Sequence, residues 1–290
     1  MSQTKNLQVV TGGTSGMGLA TAKALSVFGP VLIGGRNQKR LDAALAELKE
    51  AGVEAYGMPC DIADKESLNK FVEYALTLGK IDHVVNAAAV DVGGPDLIFN
   101  INILGTINVT EAFLPYMDHS VLVNYTSITG YFYQPSREEI GVWSFPNAED
   151  FKEKAYHLIN TKEVHPGMAH LGKDYVFYSA SKRFTMYYTQ ANTLRFGKKN
   201  SQIFSVAPGA FDTPMLREQS DEAVNRVAAG TAFNRLGDPD EMSNFIVKLL
   251  EPGHEYLTGC DLVLDGGKSA MSLSKQLYLF YLIIPLIIFY

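Results

Sequence analysis

The sequence predicts a doubly wound α/β domain built on a parallel sheet, and three observations carry that expectation. Short β-rich runs alternate with stretches of helical apolar spacing, the first of those runs ends in a glycine-rich turn, and no linker, repeat or low-complexity segment divides the chain. With 290 residues, 47% hydrophobic and 19% charged, the chain has enough apolar material for one buried sheet plus additions. The expected organisation is one domain over residues 1–270, with an inserted segment at 131–175 and an apolar tail at 271–290.

The elements follow in order. Residues 8–11 (QVVT) form a strand, the glycines after them a turn, and LATAKALSVF a helix. Residues 31–33 make a second strand, 38–50 an amphipathic helix, and 54–58 a third strand. A fourth strand at 83–85 precedes a long helix over 102–114; a fifth at 120–124 precedes a helix over 178–196. Residues 202–206 and 262–264 supply the last two strands. Such alternation buries a parallel sheet on both faces and leaves the ligand crevice at the carboxyl ends of its strands.

Charge and cysteine usage exclude several classes. The net charge is −6 and the 25 Lys and Arg residues are scattered, so there is no basic stripe to neutralise a phosphate backbone and no nucleic-acid partner is expected. Cys60 and Cys260 stand alone, outside any CxxC or His-rich spacing, which argues against a disulfide framework and a metal site. A reducing cytoplasmic setting is expected, and the polar N-terminal lead has no export-signal pattern. Residues 277–290 (LYLFYLIIPLIIFY) are almost unbroken apolar sequence. The run is shorter than the roughly 20 residues of a spanning helix and holds Pro285, so a shallow anchor peripheral to a membrane, a buried subunit interface and an adventitious extension stay open.

The spacing Gly12-x3-Gly16-x-Gly18 sits between a strand and a helix, where a glycine pattern reads as a dinucleotide-binding turn of Rossmann type. One glycine lets the chain turn, one lets backbone approach a pyrophosphate, and one lets helix and strand pack closely; the helix N-terminus then faces the anion. Thr14, Ser15 and Met17 fill the turn and are candidate cofactor contacts with the glycines. The second strand ends in Gly34-Gly35-Arg36-Asn37, with Arg36 where an acid would grip a ribose 2′-hydroxyl. A guanidinium there suits a 2′-phosphate, so NADP(H) is favoured and NAD(H) is second. Asp61, with Ile62 beside it, either binds the adenine or caps the helix starting near Asp64.

Tyr178 and Lys182 lie at i and i+4, on one helix face. A free phenol titrates near pH 10, so Tyr178 needs a neighbouring positive charge to exchange protons at neutral pH, and Lys182 is expected to supply it. Ser127 closes the fifth strand and Asn102 opens the helix before it, and together the four residues outweigh the isolated YxxxK pattern.

With these residues in view, the sequence resembles a short-chain dehydrogenase/reductase of the ordinary single-domain branch. The likeness runs from residue 7 to about 268, through Thr11-Gly12-x3-Gly16-x-Gly18, Asp61, Asn86-Ala87-Ala88-Ala89, Asn102, Ser127, Tyr178 with Lys182, Pro208-Gly209, Thr213 and Asp265-Gly266-Gly267. It implies that Tyr178 is the general acid/base, that Ser127 bonds the substrate oxygen, that Lys182 binds the nicotinamide ribose, and that Asn102 helps hold a relay water. It further implies cofactor contacts at Asn86, Ala87, Pro208, Gly209 and Thr213, and a dimer or tetramer. The family usually has Asn-Asn-Ala-Gly where this chain has Asn86-Ala87-Ala88-Ala89, so a local change near the cofactor is expected.

About 50 residues separate Ser127 from Tyr178, where the family commonly has about a dozen, too long a segment to be structureless. Residues 147–159 read as a helix capped by Asn147. The expectation is a helical lid lined by Trp143, Phe145 and the aromatics of 131–133, suited to an apolar alcohol or ketone, as in some hydroxysteroid dehydrogenases and carbonyl reductases. Two rivals stay open: an enoyl reductase using Tyr175, seven residues before Lys182, and a silent dinucleotide sensor or scaffold.

Overall fold

The computed structural model describes residues 6–162, 172–218 and 220–271. The apolar run at 277–290 therefore lies outside the described residues, as does the junction at 163–171.

Seven strands form one parallel sheet: β1 (Asn6–Thr11), β2 (Val31–Gly35), β3 (Ala55–Pro59), β4 (Lys80–Asn86), β5 (Val121–Tyr125), β6 (Gln202–Pro208) and β7 (Asp261–Leu264). Their order is β3-β2-β1-β4-β5-β6-β7. The chain leaves β1 in one direction and returns on its other side at β4, so the crevice opens between the carboxyl ends of those two strands.

Buried strands must be apolar on both faces, and they are. On one face Leu7, Val9, Leu32, Val84 and Leu122 pack with Phe71 and Phe113; on the other Val10, Ile33, Val85, Val123 and Phe204 pack with Met242 and Ile246. Those partners come from α1 (Gly16–Leu25), α2 (Gln38–Glu50), α3 (Lys65–Leu78), α4 (Pro95–Ile98) continuing into α5 (Gly105–Phe113), and helices farther along the chain. The predicted span for α2 coincides with the observed one. Asp64 caps α3 by accepting from the Glu66 and Ser67 amides at 2.9 and 3.3 Å, which frees Asp61 from that task.

The long helix expected over 102–114 is not continuous. Residues Phe99–Leu104 form a π turn between α4 and α5, with Asn102 in it. A wide turn of this kind commonly re-aims a side chain at a functional site.

The insertion folds differently from the expected lid. It contributes α6 (Arg137–Trp143) and α7 (Phe151–Thr161) before α8 (Gly172–Gly197). Helix α7 begins at Phe151, after an Asp150 that makes no side-chain cap, so Asn147 is not its cap. Trp143, 1% exposed, packs edge-on to Phe184 with ring centroids 5.5 Å apart, in a third apolar cluster with Phe99, Phe151, Ile159 and Phe177. Burying each such side chain stabilises by roughly 1.5–3 kcal/mol, more than a mobile cover could recover from transient contact. Tyr133 is buried in the same cluster, Phe145 is 70% exposed, and Tyr131 and Phe132 are partly exposed. None of these aromatics lines the cleft, so the aromatic lid expected from the sequence is corrected to a helical layer packed on α8.

A buried ion pair fastens that layer. Glu139, 2% exposed, accepts from Lys162 Nζ at 2.6 Å, from the Ser136 amide at 2.7 Å, and from the Tyr133 hydroxyl.

Candidate active site

At the β1/β4 crevice lies a cleft of about 350 Å³, within the range of ligand pockets. One end is made by the β1–α1 turn. Gly12 has φ +72°, and a Cβ there would sit 2.6 Å from the Ala88 backbone; Gly16 has φ +53°. A Cβ on Gly18 would strike the Gly12 carbonyl oxygen, so this third glycine lets α1 pack against the strand end. Ser15 precedes α1 in extended conformation without a side-chain cap, leaving the first amides of the helix free to face an anion. Gly12, Thr14, Ser15, Gly16, Met17 and Gly18 all line the cleft.

Farther along, Arg36 lines the wall at the end of β2, and Arg40, in the first turn of α2, lines it too. Arg40 was not singled out from the sequence, although a second basic residue in the first turn of the helix after Arg36 was the available signal. Asp61 and Ile62 face the same space, and the Asp61 carboxylate accepts from the Ala63 amide at 2.9 Å. Ala87, Pro208 and Thr213 complete the predicted contacts that reach the cleft, together with Tyr178 and Lys182.

Four predicted residues, Asn86, Asn102, Ser127 and Gly209, stand behind the cleft wall. Asn86 is 3% exposed and is spent on a polar ladder across the strand ends: Thr11 Oγ1 donates to its Oδ1 at 2.8 Å, and its Nδ2 donates to Asn124 Oδ1 at 3.2 Å. The ladder continues from Asn124 to Thr189 on α8 at 3.1 Å. The Asn86 side chain is thus a strand-end tie. Gly209 is not on the cleft wall; a Cβ there would meet Asp265 Cα at 2.6 Å. Asn102, 2% exposed, holds both polar atoms of the Val90 backbone, at 3.0 and 2.8 Å, and donates to Ser181 Oγ at 3.0 Å. Ser181 in turn donates to the Tyr178 carbonyl at 2.7 Å, so the π turn clamps the β4 loop to the helix turn that carries Tyr178.

Ser127, two residues beyond β5, caps the following turn by accepting from the Thr129 amide at 3.2 Å, and its side chain is near enough to the Tyr178 phenol to favour the charged form. Lys182, 4% exposed, has Nζ 3.0 Å from the Tyr125 carbonyl and 5.6 Å from the Tyr178 ring centroid. Tyr178, Lys182 and Ser127 therefore come together although Ser127 lies 51 residues before Tyr178 in sequence.

The electrostatics run against the expectation drawn from the Tyr178–Lys182 spacing. Burial pushes the Tyr178 phenol up to about 12, with Asp91 and Tyr175 adding to the rise and Ser127 opposing it. Burial pulls the Lys182 ammonium down to about 8, against Asp91 and Asp261. Desolvation disfavours the charged form of each, so the protein's own groups hold the phenol protonated instead of lowering it.

Asp91, Val92, Met215 and Glu218 also line the cleft and were not singled out from the sequence. An acid on the loop after a parallel strand was the signal for Asp91, masked by its neighbours in the ordinary-looking run Val90-Asp91-Val92-Gly93-Gly94.

Comparison with known proteins agrees with this geometry. A family model described as short chain dehydrogenase matches residues 6–138, and one described as enoyl-(acyl carrier protein) reductase matches 151–269. A short-chain dehydrogenase/reductase of Alternaria brassicicola is 27% identical over 265 residues, covering 89% of this chain and 94% of its own. A 3-oxoacyl-(acyl-carrier-protein) reductase of Thermotoga maritima is 23% identical over 273 residues, covering 89% and 96%. Among solved structures, an actinorhodin polyketide ketoreductase with NADPH superposes at TM-score 0.71 with 25% identity over 91% of this chain and 97% of that one. A short chain dehydrogenase from Burkholderia cenocepacia in complex with NADP matches its fold at TM-score 0.71 with 22% identity, over 92% and 98%. Two adjoining family matches, relatives aligned along nearly their whole length and a shared seven-stranded sheet lead to one conclusion: the chain belongs to the short-chain dehydrogenase/reductase family, as an ordinary single-domain NAD(P)-dependent oxidoreductase acting on alcohol and carbonyl groups.

Proposed function

We propose that the protein is an NADP(H)-dependent ketoreductase that interconverts a ketone and a secondary alcohol, with Tyr178 as the proton donor and acceptor. The observation that carries this reading is the meeting of Tyr178 and Lys182, with Ser127 just behind them, at one end of a cleft whose other end is the glycine turn.

The chain's geometry fits a dinucleotide. Gly12 lets the turn pack against the Ala88 backbone, the α1 amides are left to face a ligand's phosphates, and Arg36 and Arg40 stand where a ribose 2′-phosphate would lie. The NADPH and NADP named with two of the similar structures favour the same cofactor for this chain. When bound, the nicotinamide supplies or accepts the hydride. The protein's part is positional and protonic. Ser127 donates to the ketone oxygen, Tyr178 passes its phenolic proton to that oxygen as it becomes an alkoxide, and Lys182 holds the nicotinamide ribose beside it. Asn102 positions Lys182's helix against the β4 loop through Ser181 and Val90.

The finer substrate expectation changes. A lipophilic, steroid-sized substrate rested on an aromatic lid, and those aromatics pack in the third apolar cluster or lie outside the cleft. The cleft wall offers Met215 and Val92 as apolar surface beside Asp91 and Glu218, which favours a small ketone of mixed polarity. The enoyl-reductase reading requires Tyr175, which does not line the cleft while Tyr178 does.

The test is consumption of NADPH and NADH, followed at the nicotinamide absorbance, with a panel of ketones and keto-esters. Turnover with NADPH ahead of NADH, lost in Tyr178→Phe and kept in Tyr175→Phe, is expected. No turnover of any carbonyl with either cofactor overturns the reading.

A further inference from the structure

The β4 loop carries a carboxylate that the reaction outlined above does not use. Asp91 lies on the cleft wall with Tyr178 and Lys182, half-buried, with its carboxylate engaged by its own backbone amide. Its position is fixed from both sides. Asn102 grips the backbone of Val90, the residue before it, and ties that residue to Ser181 on α8. Beyond it, the Gly94 amide donates to Asp174 Oδ2 at 3.1 Å, in the first turn of α8. Between these stitches Gly93 and Gly94 take φ of +107° and +95°, a turn that ordinary residues resist. The loop is therefore sewn to the helix that bears Tyr178, with Asp91 between the seams.

We infer that Asp91 is a positioning residue that favours the protonated form of the Tyr178–Lys182 pair, the form that gives a proton to a ketone oxygen, and so biases the site toward reduction. The inference rests on the ketoreductase reading. A negative charge beside both groups disfavours phenolate and favours ammonium, and both effects have the same sign for the pair. In the reductive direction hydride goes to the carbonyl carbon and the phenolic proton to its oxygen, so the pair must enter the step protonated.

The other groups facing the pair do not substitute for Asp91. Toward Tyr178 there are Tyr175 on α8, neutral in this range, and the Ser127 hydroxyl after β5, which acts in the opposite sense. Toward Lys182 there is Asp261 on β7, whose carboxylate is occupied by Thr126 Oγ1 at 2.7 Å, Ser205 Oγ at 2.5 Å and the Tyr131 hydroxyl at 2.7 Å. Asp91 itself is faced by Lys182, by Asp174, which is engaged with Gly94, and by Glu218, which is exposed and screened by water. Burial raises the Asp91 carboxyl, opposed by the hydrogen bond from its own backbone and by Lys182, with Glu218 and Asp174 adding to the rise.

The experiment compares wild type, Asp91→Asn and Asp91→Glu. The alkaline limb of kcat/KM for ketone reduction should move to lower pH by about half to one unit in Asp91→Asn, a Coulomb effect at short range in partly wet surroundings. Asp91→Glu should keep the wild-type limb. A structural role would lower the rate in both variants without moving the limb, and an unmoved limb in Asp91→Asn overturns the inference. The Lys182 ammonium is titrated in parallel by carbon NMR of ε-labelled lysine in the cofactor-free protein, where Asp91→Asn should lower it; an unchanged titration is also an overturning result. Loss of the ketoreductase reading would appear separately, as wild-type turnover in Tyr178→Phe.

Discussion

The nucleotide half of the cleft and the inserted layer differ in what fixes them. From β1 to α2 the decisive features are backbone ones: the positive φ of Gly12 and Gly16 and the missing Cβ atoms of Gly12 and Gly18. Such requirements are written directly into residue type, because only glycine satisfies them. In the insertion, by contrast, the helices form as their composition suggests, but the destination of their aromatics depends on which surface is left uncovered. That surface is α8, whose Phe177 and Phe184 need partners as much as Trp143 and Phe151 do. The difference teaches that an apolar insertion beside an active site is as able to complete the core as to cover the substrate.

The comparison can be broken first at Trp143. If the insertion is core, Trp143→Ala should cost about 3 kcal/mol of stability by denaturant unfolding, with KM for the ketone changed little. A raised KM at unchanged stability would restore the lid. On the nucleotide side, Gly12→Ala places a Cβ 2.6 Å from the Ala88 backbone and strains a φ of +72°. Cofactor affinity, read by NADPH fluorescence, should fall by about 100-fold, equivalent to about 2.7 kcal/mol.

A smaller effect sharpens the cofactor choice. Arg36→Ala and Arg40→Ala should each weaken NADPH by about 10-fold and leave NADH almost unchanged, since each guanidinium acts on the 2′-phosphate alone. Equal loss for both cofactors would assign the arginines to general surface charge.

The smallest effect is a pH dependence in the insertion. Burial alone would raise the Glu139 carboxyl, but Lys162, the Ser136 amide and the Tyr133 hydroxyl outweigh it and hold the group below the usual carboxylate range. A depressed acid stabilises the fold above its unfolded value, near pH 4.3, and that contribution is lost as pH falls through the lower folded value. The melting temperature should drop by a few degrees across that acid window, and the drop should flatten in Lys162→Gln.

Much of the sheet and the cleft was legible in the sequence, for physical reasons. Apolar runs bounded by turn residues located all seven strands, and α2 matched its expected span to the residue because Asn37 and the apolar spacing both mark it. Tyr178, Lys182 and Ser127, which the structure brings together, could be singled out because proton-transfer chemistry restricts the residue types. What was not legible depended on three-dimensional neighbours. That Thr11 and Asn124 claim the Asn86 amide follows from the strand order and not from its local sequence. Asp91 carries no local pattern, and its closeness to Lys182 follows from the Asn102 clamp and the glycine bend together. The pull of Lys182 on Tyr178 was expected from spacing alone, without the desolvation that spacing cannot report.

The central claim is that Tyr178 moves the proton in a site that binds its cofactor without needing that hydroxyl. Single-turnover ketone reduction by Tyr178→Phe, with NADPH affinity measured on the same preparation, tests it most directly. The rate should fall by about 10²- to 10⁴-fold while NADPH binds within about two-fold of wild type. A wild-type rate in Tyr178→Phe, or loss of the rate in Tyr175→Phe instead, would contradict it.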